Sequence, residues 1–330
     1  MSNSFITGVD IGHHSLKAVV LKPVKGTLKL SEFRELVIED NIFTDNHLLN
    51  YQKIVNKLKE LRKALPLFSR KVALSVPDNS VISKVLQIEK DLSALEQEYA
   101  IFEAFSHHSP FDIEELYLDY CSLPLANVAA ATQPVQVYAT KREVVDNRVD
   151  VCRKAGLKPM LFDVHAHALV RLWQEVAREQ ERTHWLLLEV GQTRSSLVMD
   201  IEDKSPWCKE LPVGTDMMQA ADTPDSPMHH DATMQFTSTL VERVQRQLQL
   251  LGADEKQQLQ GIWLTGGGAH TPMLAEELAR KLNLECELFD PLTLFTGRKA
   301  TKLANGGYSY ATAAGLALQG IDWMELGHAS

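Results

Sequence analysis

Asp10 and Glu189 are the residues through which this chain would do chemistry. Each interrupts an apolar run, and each is followed two residues later by glycine: Asp10-Ile11-Gly12 within 5-FITGVDIGHHSLKAVVLK-22, and Glu189-Val190-Gly191 within 184-HWLLLEVGQTRSSLVMD-200. An acid held in a strand next to a permissive turn places a carboxylate beside exposed backbone N–H groups. That pairing suits a phosphate group and its counter-cation. His13, His14, Ser15 and Lys17 follow in the first turn, Gln192 and Thr193 in the second. The order is the same in both: apolar run, acid, aliphatic, glycine, polar turn, apolar run. It reads as an internal repeat separated by about half the chain, hence two related lobes.

A third motif, Gly266-Gly267-Gly268, lies between the apolar 262-IWLT-265 and a helical pattern reaching residue 282. Glycines there let a helix N-terminus and bare backbone approach a ligand. The spacing is not GxGxxG, and no acid about 20 residues on completes a dinucleotide fingerprint in the right strand context. Two acid-glycine hairpins followed by strand-GGG-helix form the constellation of the actin-like ATPase fold.

The elements that must position these motifs follow from periodicity. Helical spacing over 47–65 ends before Pro66, and 71–77 reads as a strand closing at Pro77. A strand over 80–88 leads to a helix over 93–106, capped by Asp91 or by Ser93 with Glu96. Strands at 115–123 and 134–140, a helix over 142–155 ending at Gly156, and a strand at 158–164 complete a β-α-β-β-α-β run. A long helix over 165–181 precedes the second hairpin. Residues 209–232 are polar and Pro-rich and read as a loop or short helices, 233–252 as a helix and 253–261 as a loop. A strand at 284–289 and a small-residue helix at 309–321 close the chain.

Composition limits the function. The 330 residues are 45% hydrophobic and 23% charged, enough for a full core and more than one lobe. A net charge of -9 argues against a nucleic-acid partner. The one region with basic character, 137–149, is interleaved with acids and reads as a solvated face. Cys121, Cys152, Cys208 and Cys286 lie far apart without a CxxC pair, so neither a disulfide framework nor a zinc site is indicated. No signal-type N-terminus or membrane-spanning run is present, which places the chain in the cytosol. Three His-His pairs (His13-His14, His107-His108, His229-His230) read as surface composition, because ligand histidines sit three to five apart.

With these residues in view, the sequence resembles the PilM family of type IV pilus and MSHA-type assembly systems, close to FtsA. Asp10-Ile11-Gly12 with Ser15-Leu16-Lys17 matches the family's first phosphate motif, and 72-VALSVPDNSVISKVLQI-88 resembles its entry into an inserted module. Gly156-Leu157-Lys158-Pro159 with Asp163-Val164 and Ala168-Leu169 is similar to its return. Gly266 to Gly268 match the adenosine motif, and Ala314 to Leu318 the C-terminal helix.

The resemblance implies an α/β, actin-like (ribonuclease H-like) two-lobe ATPase fold with an inserted α+β module of the FtsA 1C type. Lobe 1 would comprise 1–80 and 161–182, the module 81–160, lobe 2 183–210 and 262–330, and a subdomain 2B 211–261. It implies ATP or ADP bound by Asp10, Gly12, His13, His14, Ser15, Lys17, Glu189, Gly191, Gln192, Thr193, Gly214 and Gly266–Gly268. Asp10 and Glu189 would hold Mg²⁺ through water. Glu242, Arg243 and Arg246 are candidates for adenine or ribose, or else a solvated helix face.

It further implies a cytoplasmic platform, peripheral to the inner membrane, that captures the N-terminal tail of a PilN-like protein. The groove for that tail is bracketed by the strand at 80–88 and the first-lobe surface. The short acidic tail 322–330 lacks a basic amphipathic face, so direct membrane binding is not expected.

Several residues depart from the family pattern: His13 for Ser or Thr, Glu189 for Asp, His165 where relatives often carry an acid, and Gly214-Thr215 for a glycine pair. One extra methylene moves a carboxylate by about 1.5 Å. Together these imply nucleotide binding with hydrolysis slow or lost, with Asp163 and His165 as the candidates for chemistry. A neutral His13 could still donate to a phosphate. The alternatives are a small-molecule kinase of the same superfamily, in which Asp163 would deprotonate the acceptor, and an FtsA-like filament.

Overall fold

A computed structural model describes residues 5–38, 42–44, 47–124, 131–218, 227–297 and 306–327, with the side chains of 227–229 left undescribed. The chain opens with three antiparallel strands, β1 (Ile6–Ile11), β2 (Ser15–Val24) and β3 (Thr27–Val37). Asp10 stands opposite Lys17 across the first hairpin. Helix α1 (Tyr51–Ala64) starts where Asn50 accepts from the Lys53 N–H, and buries Ile54, Val55, Leu58 and Leu61. Strand β4 (Lys71–Val76) then joins β1 in parallel.

Strand β5 (Val81–Glu89), α2 (Ala94–Ser106), β6 (Leu116–Ser122) and β7 (Thr132–Lys141) build a separate three-stranded sheet of order β5-β7-β6. It has its own core, in which Ile101 and Phe105 of α2 meet Leu86, Ile88, Val135 and Val137. Ser93 and Glu96 form the reciprocal cap expected for α2.

The module is shorter than the sequence reading. Helix α3 (Arg142–Lys154) places Val151 and Cys152 in the core shared by α1, β1 and β4. Strand β8 (Lys158–Val164) pairs in parallel with β4. Strand β8 thus joins the first sheet beside β4, and α3 packs in the same core rather than in the module.

Helix α4 (His165–Gln180) leads to the second sheet. Strands β9 (Trp185–Val190), β10 (Ser195–Met199) and β11 (Trp207–Leu211) run antiparallel. Helices α5 (Pro227–Leu248) and α6 (Ala253–Gln258) precede β12 (Gly261–Thr265), α7 (Leu274–Leu282) and β13 (Glu285–Leu288). The order is β11-β10-β9-β12-β13.

Residues 211–261, read as a subdomain of their own, contribute Phe236, Leu240 and Val244 of α5 to the same core as β9 and β12. Helix α5 starts six residues earlier than the periodicity implies, so the segment around His230 is helical, and α6 occupies the expected loop at 253–261.

The last elements return to the first sheet, against the expected assignment of 262–330 to lobe 2. Strand β14 (Thr296–Gly297) pairs with β3. Helix α8 (Ala311–Glu325) lies against β1 and α4 at backbone contact. A Cβ on Gly8 would stand 1.9 Å from the Ala313 carbonyl oxygen, and one on Gly315 1.9 Å from that of Ala168. The small-residue stripe of α8 exists because three backbones converge there.

Candidate functional site

The two acid-glycine turns have one geometry. The Gly12 N–H donates to Ser15 O at 3.1 Å and the Gly191 N–H to Arg194 O at 2.9 Å, closing each hairpin around its glycine. A Cβ on Gly191 would meet that carbonyl at 2.6 Å. The turns face each other: His13 Nδ1 lies 3.4 Å from Thr193 Oγ1, with its ring stacked on Phe43 at 4.3 Å. The N–H groups of His13, His14, Gln192 and Thr193 donate to no backbone carbonyl among the described residues. They face a cavity of about 300 Å³, a size at the lower end for small-ligand sites.

The glycine triplet borders this cavity for two distinct reasons. Gly266, at φ 92°, and Gly268 are required by packing, since a Cβ on either would collide with Val190. Gly267 alone has open space where its Cβ would be. Gly214 plays a supporting part. Its neighbours Thr215 and Asp216 donate to the carbonyls of Gly191 and Gln192, and a Cβ would strike Gln192 O at 2.1 Å.

Charge in the cavity is arranged around two internal cations. Lys17 lies 3.9 Å from Asp10 and 3.8 Å from Glu35, and Glu35 also accepts from Ser15 Oγ at 2.6 Å. Ser15 is therefore buried behind the turn rather than facing the cavity. Burial pushes the Asp10 carboxyl above its ordinary value, against the pull of Lys17.

His165, at the first position of α4, spans the cleft: Nδ1 is 3.3 Å from Asp78 Oδ2 and Nε2 3.3 Å from Glu189 Oε2. The Thr312 hydroxyl donates to Glu189 Oε1 at 2.9 Å. Its single proton is thereby committed, so the contact of Thr312 Oγ1 with His165 Nε2 at 3.1 Å needs the ring as donor. Both ring nitrogens then donate, and the imidazole is an imidazolium. Against the penalty of burial, hydrogen bonds to Asp78 and Glu189 raise its pKa well above the ordinary 6.5. Hydrogen bonding and attraction to His165 likewise hold Asp78 and Glu189 below their ordinary values, although burial opposes this.

That arrangement does not fit a dedicated Mg²⁺ site. Both carboxylate oxygens of Glu189 are engaged by protein donors, and the imidazolium lies between acids where a hydrated cation would be shared. Among the described residues no group of three His, Cys, Asp or Glu side chains could hold a metal ion.

The structure separates the two residues proposed for chemistry. Asp163 lies outside this cavity; its Oδ1 accepts from the Val164 N–H at 2.6 Å and contacts His167 Nδ1 at 3.3 Å. Glu242, Arg243 and Arg246 are exposed on α5 and do not line the cavity. His107, His108 and His230 are exposed, as expected of surface composition; the His229 side chain lies outside the described residues.

Sequence reasoning missed Asp78, Thr312 and Arg148, all of which line the cavity. Only the Pro77 strand end gave any signal for Asp78. The 137–149 region is not a solvated face throughout: Val137, Ala139, Val144 and Arg148 are buried.

A second concavity, about 670 Å³, runs between the module and the first sheet. Its lining is mainly apolar and aromatic: Leu118, Tyr120, Tyr138, Phe162 and Trp323 among others, with Asp119, Asp163 and Asp322 at its borders. Tyr138 packs edge-on against His167 at 4.7 Å. The module wall is β6, an edge strand whose residues Tyr117 to Cys121 all line the groove, with Tyr138, Ala139 and Thr140 of β7 beside it; Val81 is the sole β5 residue there. The wall is thus the opposite edge of the module sheet from the strand at 80–88.

Residues 8–221 and 219–321 match the family described as "Type IV pilus assembly protein PilM". Among solved structures, a "PilM-PilN type IV pilus biogenesis complex" superposes with a TM-score of 0.78 at 24% identity, covering 97% of this chain and 98% of that one. The ethanolamine utilization protein EutJ from Carboxydothermus hydrogenoformans gives a TM-score of 0.52 at 15% identity, covering 96% and 90%. A diol dehydratase-reactivating factor in nucleotide-free form gives 0.54 at 10%, covering 96% and 99%.

Proposed function

The chain belongs to the PilM family of type IV pilus assembly proteins and has the actin-like ATPase fold, and from that premise we propose that it is a nucleotide-binding adaptor holding the tail of a PilN-like inner-membrane protein. The observation that carries the partner is the apolar groove along β6. Edge strands left open are templates for an added strand, with main-chain hydrogen bonds supplying affinity and side-chain pockets supplying specificity. An extended, apolar cytoplasmic segment of a PilN-like protein matches that surface, and the complex-bearing relative is named for such a partner. Through this partner the adaptor sits at the inner membrane; no helix among the described residues is long and apolar enough to cross a membrane.

Nucleotide enters between the two acid-glycine turns, its phosphates on the N–H groups of His13, His14, Gln192 and Thr193 and its adenosine toward Gly267. Burial and the nearby Arg194 lower the pKa of His13, leaving a neutral ring able to donate one hydrogen bond. Hydrolysis is slow or absent, because general-base catalysis needs a carboxylate or imidazole within reach of the attacking water. Asp163 faces the other concavity and His165 is held between two acids. The kinase alternative fails on the same placement of Asp163.

Titration of the full chain with a synthetic PilN-like N-terminal peptide tests the partner. Binding at micromolar peptide, lost in Leu118→Arg, is the expected result. No binding at that concentration would sink the adaptor reading.

A further inference from the structure

One guanidinium faces the phosphate cavity without an acid to pair it. Arg148, on α3, is 3% exposed and lines the cavity. Its Nη1 donates to His47 O at 3.1 Å and Val144 O at 2.9 Å. These carbonyls accept protons but neutralise no charge. Among the described residues, no carboxylate stands within ion-pair distance of it.

The acids of the same cavity (Asp10, Asp78, Glu189 and Glu210) are each matched by another cation. His47, His13 and Arg194 line the same cavity, and Arg194 is already matched by Glu210 at 2.6 Å. A buried charge with no partner is costly, and proteins keep one where a ligand supplies the counter-charge. A guanidinium presents a planar fork of donors suited to two phosphate oxygens.

A tether between α3 and the loop before α1 would be the plainer explanation. That tether is already made by Asn147, whose Oδ1 accepts from the Leu49 N–H at 2.9 Å and whose Nδ2 donates to Leu49 O at 3.3 Å. Arg148 adds one bond to it, to His47 O, which a neutral donor could make as well.

We propose that Arg148 is the cation of an anion subsite at the His13–His47 end of the cleft, opposite Gly267, which receives the terminal phosphate of a nucleoside triphosphate. The inference rests on the nucleotide reading and extends it: the site discriminates by phosphate number, through a residue supplied by α3.

Calorimetry on the full chain, using ATP, ADP and inorganic triphosphate as probes, tests this with Arg148→Met and Arg148→Lys. Losing a charge-assisted fork weakens binding by about tenfold to a hundredfold. Arg148→Met is expected to lose that much for ATP and triphosphate, yet stay within about threefold for ADP. Arg148→Lys, which keeps the charge but not the fork, falls between. The ligand-free melting temperature of Arg148→Met is expected to equal or exceed wild type, since an uncompensated buried charge has gone.

Equal losses for ATP and ADP, unchanged ATP affinity, or a lowered ligand-free melting temperature would each overturn the subsite. Should wild type bind triphosphate through Arg148 but neither nucleotide, the nucleotide reading falls and the subsite stands. Binding of none of the three probes removes both.

Discussion

Replacing His165 by Gln should destabilise the protein most at neutral pH and least in alkali. Among the described residues, His165 is the group that joins Asp78 to Glu189, with contacts of 3.3 Å to each. Removing one partner of a buried ion pair costs about 3–5 kcal/mol, because the remaining charge is left without compensation. Here two carboxylates would be left facing each other. The His165 side chain keeps 24% of its surface exposed to cleft water, however, and Thr312 still donates to Glu189. Partial solvation and uptake of a proton by one carboxyl reduce the loss to roughly 2–3 kcal/mol.

The sign of the pH dependence follows from the directions of the shifts. The His165 pKa is raised above its ordinary 6.5, so its contribution is complete below 6.5 and is lost as pH rises through the raised value. Asp78 and Glu189 are lowered from 3.8 and 4.5, so theirs is present above those values and is lost as pH falls through the lowered ones. Wild type therefore holds a plateau between the acid and alkaline limits. Urea unfolding of both proteins across that range reads the difference directly. The gap should narrow above the raised His165 pKa, where wild type has also lost its imidazolium. A gap that widens with pH, or none at pH 6.5, would refute the bridge.

Four further substitutions test the framework by unfolding or amide exchange. Gly266→Ala must adopt φ 92° with its Cβ 2.4 Å from Val190 O, and should cost about 2–4 kcal/mol, whereas Gly267→Ala, with open space, should change stability by less than about 1 kcal/mol. Gly315→Ala would push its Cβ to 1.9 Å from Ala168 O and separate α8 from α4; a loss of about 2 kcal/mol or more is expected, and a neutral result would show that α8 packs differently. Ser93→Ala removes the reciprocal cap of α2 and should cost about 1 kcal/mol, detected as faster amide exchange confined to the module.

The hairpins were legible because their chemistry is local. An acid, an aliphatic residue and a glycine within three positions fix both the register and the turn, and the same pattern recurs at Glu189. Element types in the module were legible for the same reason, but its limit was not. Residues 142–164 read as helix and strand wherever they pack, and only the pairing of β8 with β4 and the seating of Val151 and Cys152 beside α1 assign them to the first sheet. Helix α8 carried a visible small-residue stripe, yet a stripe says that a backbone comes close without saying whose.

The site's missing members lay beyond local pattern altogether. Asp78, Thr312 and Arg148 come from a strand end and two helices far apart in sequence. Asp163 and His165 are two residues apart but open into different concavities, because the chain passes from β8 into α4 between them.

The charges in the cavity distinguish holding an anion from acting on one. Four carboxylates line it, and each has a cationic partner within the protein: Asp10 with Lys17, Asp78 and Glu189 with His165, Glu210 with Arg194. An acid so engaged is a poor base, since taking a proton forfeits the ion pair that lowers its pKa. Asp10, whose pKa burial raises, is the exception in direction; it lines the cavity and stands opposite Lys17 across the hairpin. Among the described residues, what lacks a counter-charge is a cation, Arg148. Acids satisfied internally beside a cation without a counter-charge favour the entry of an anion. On the proposed nucleotide reading, occupancy of the cleft is therefore the quantity to measure first.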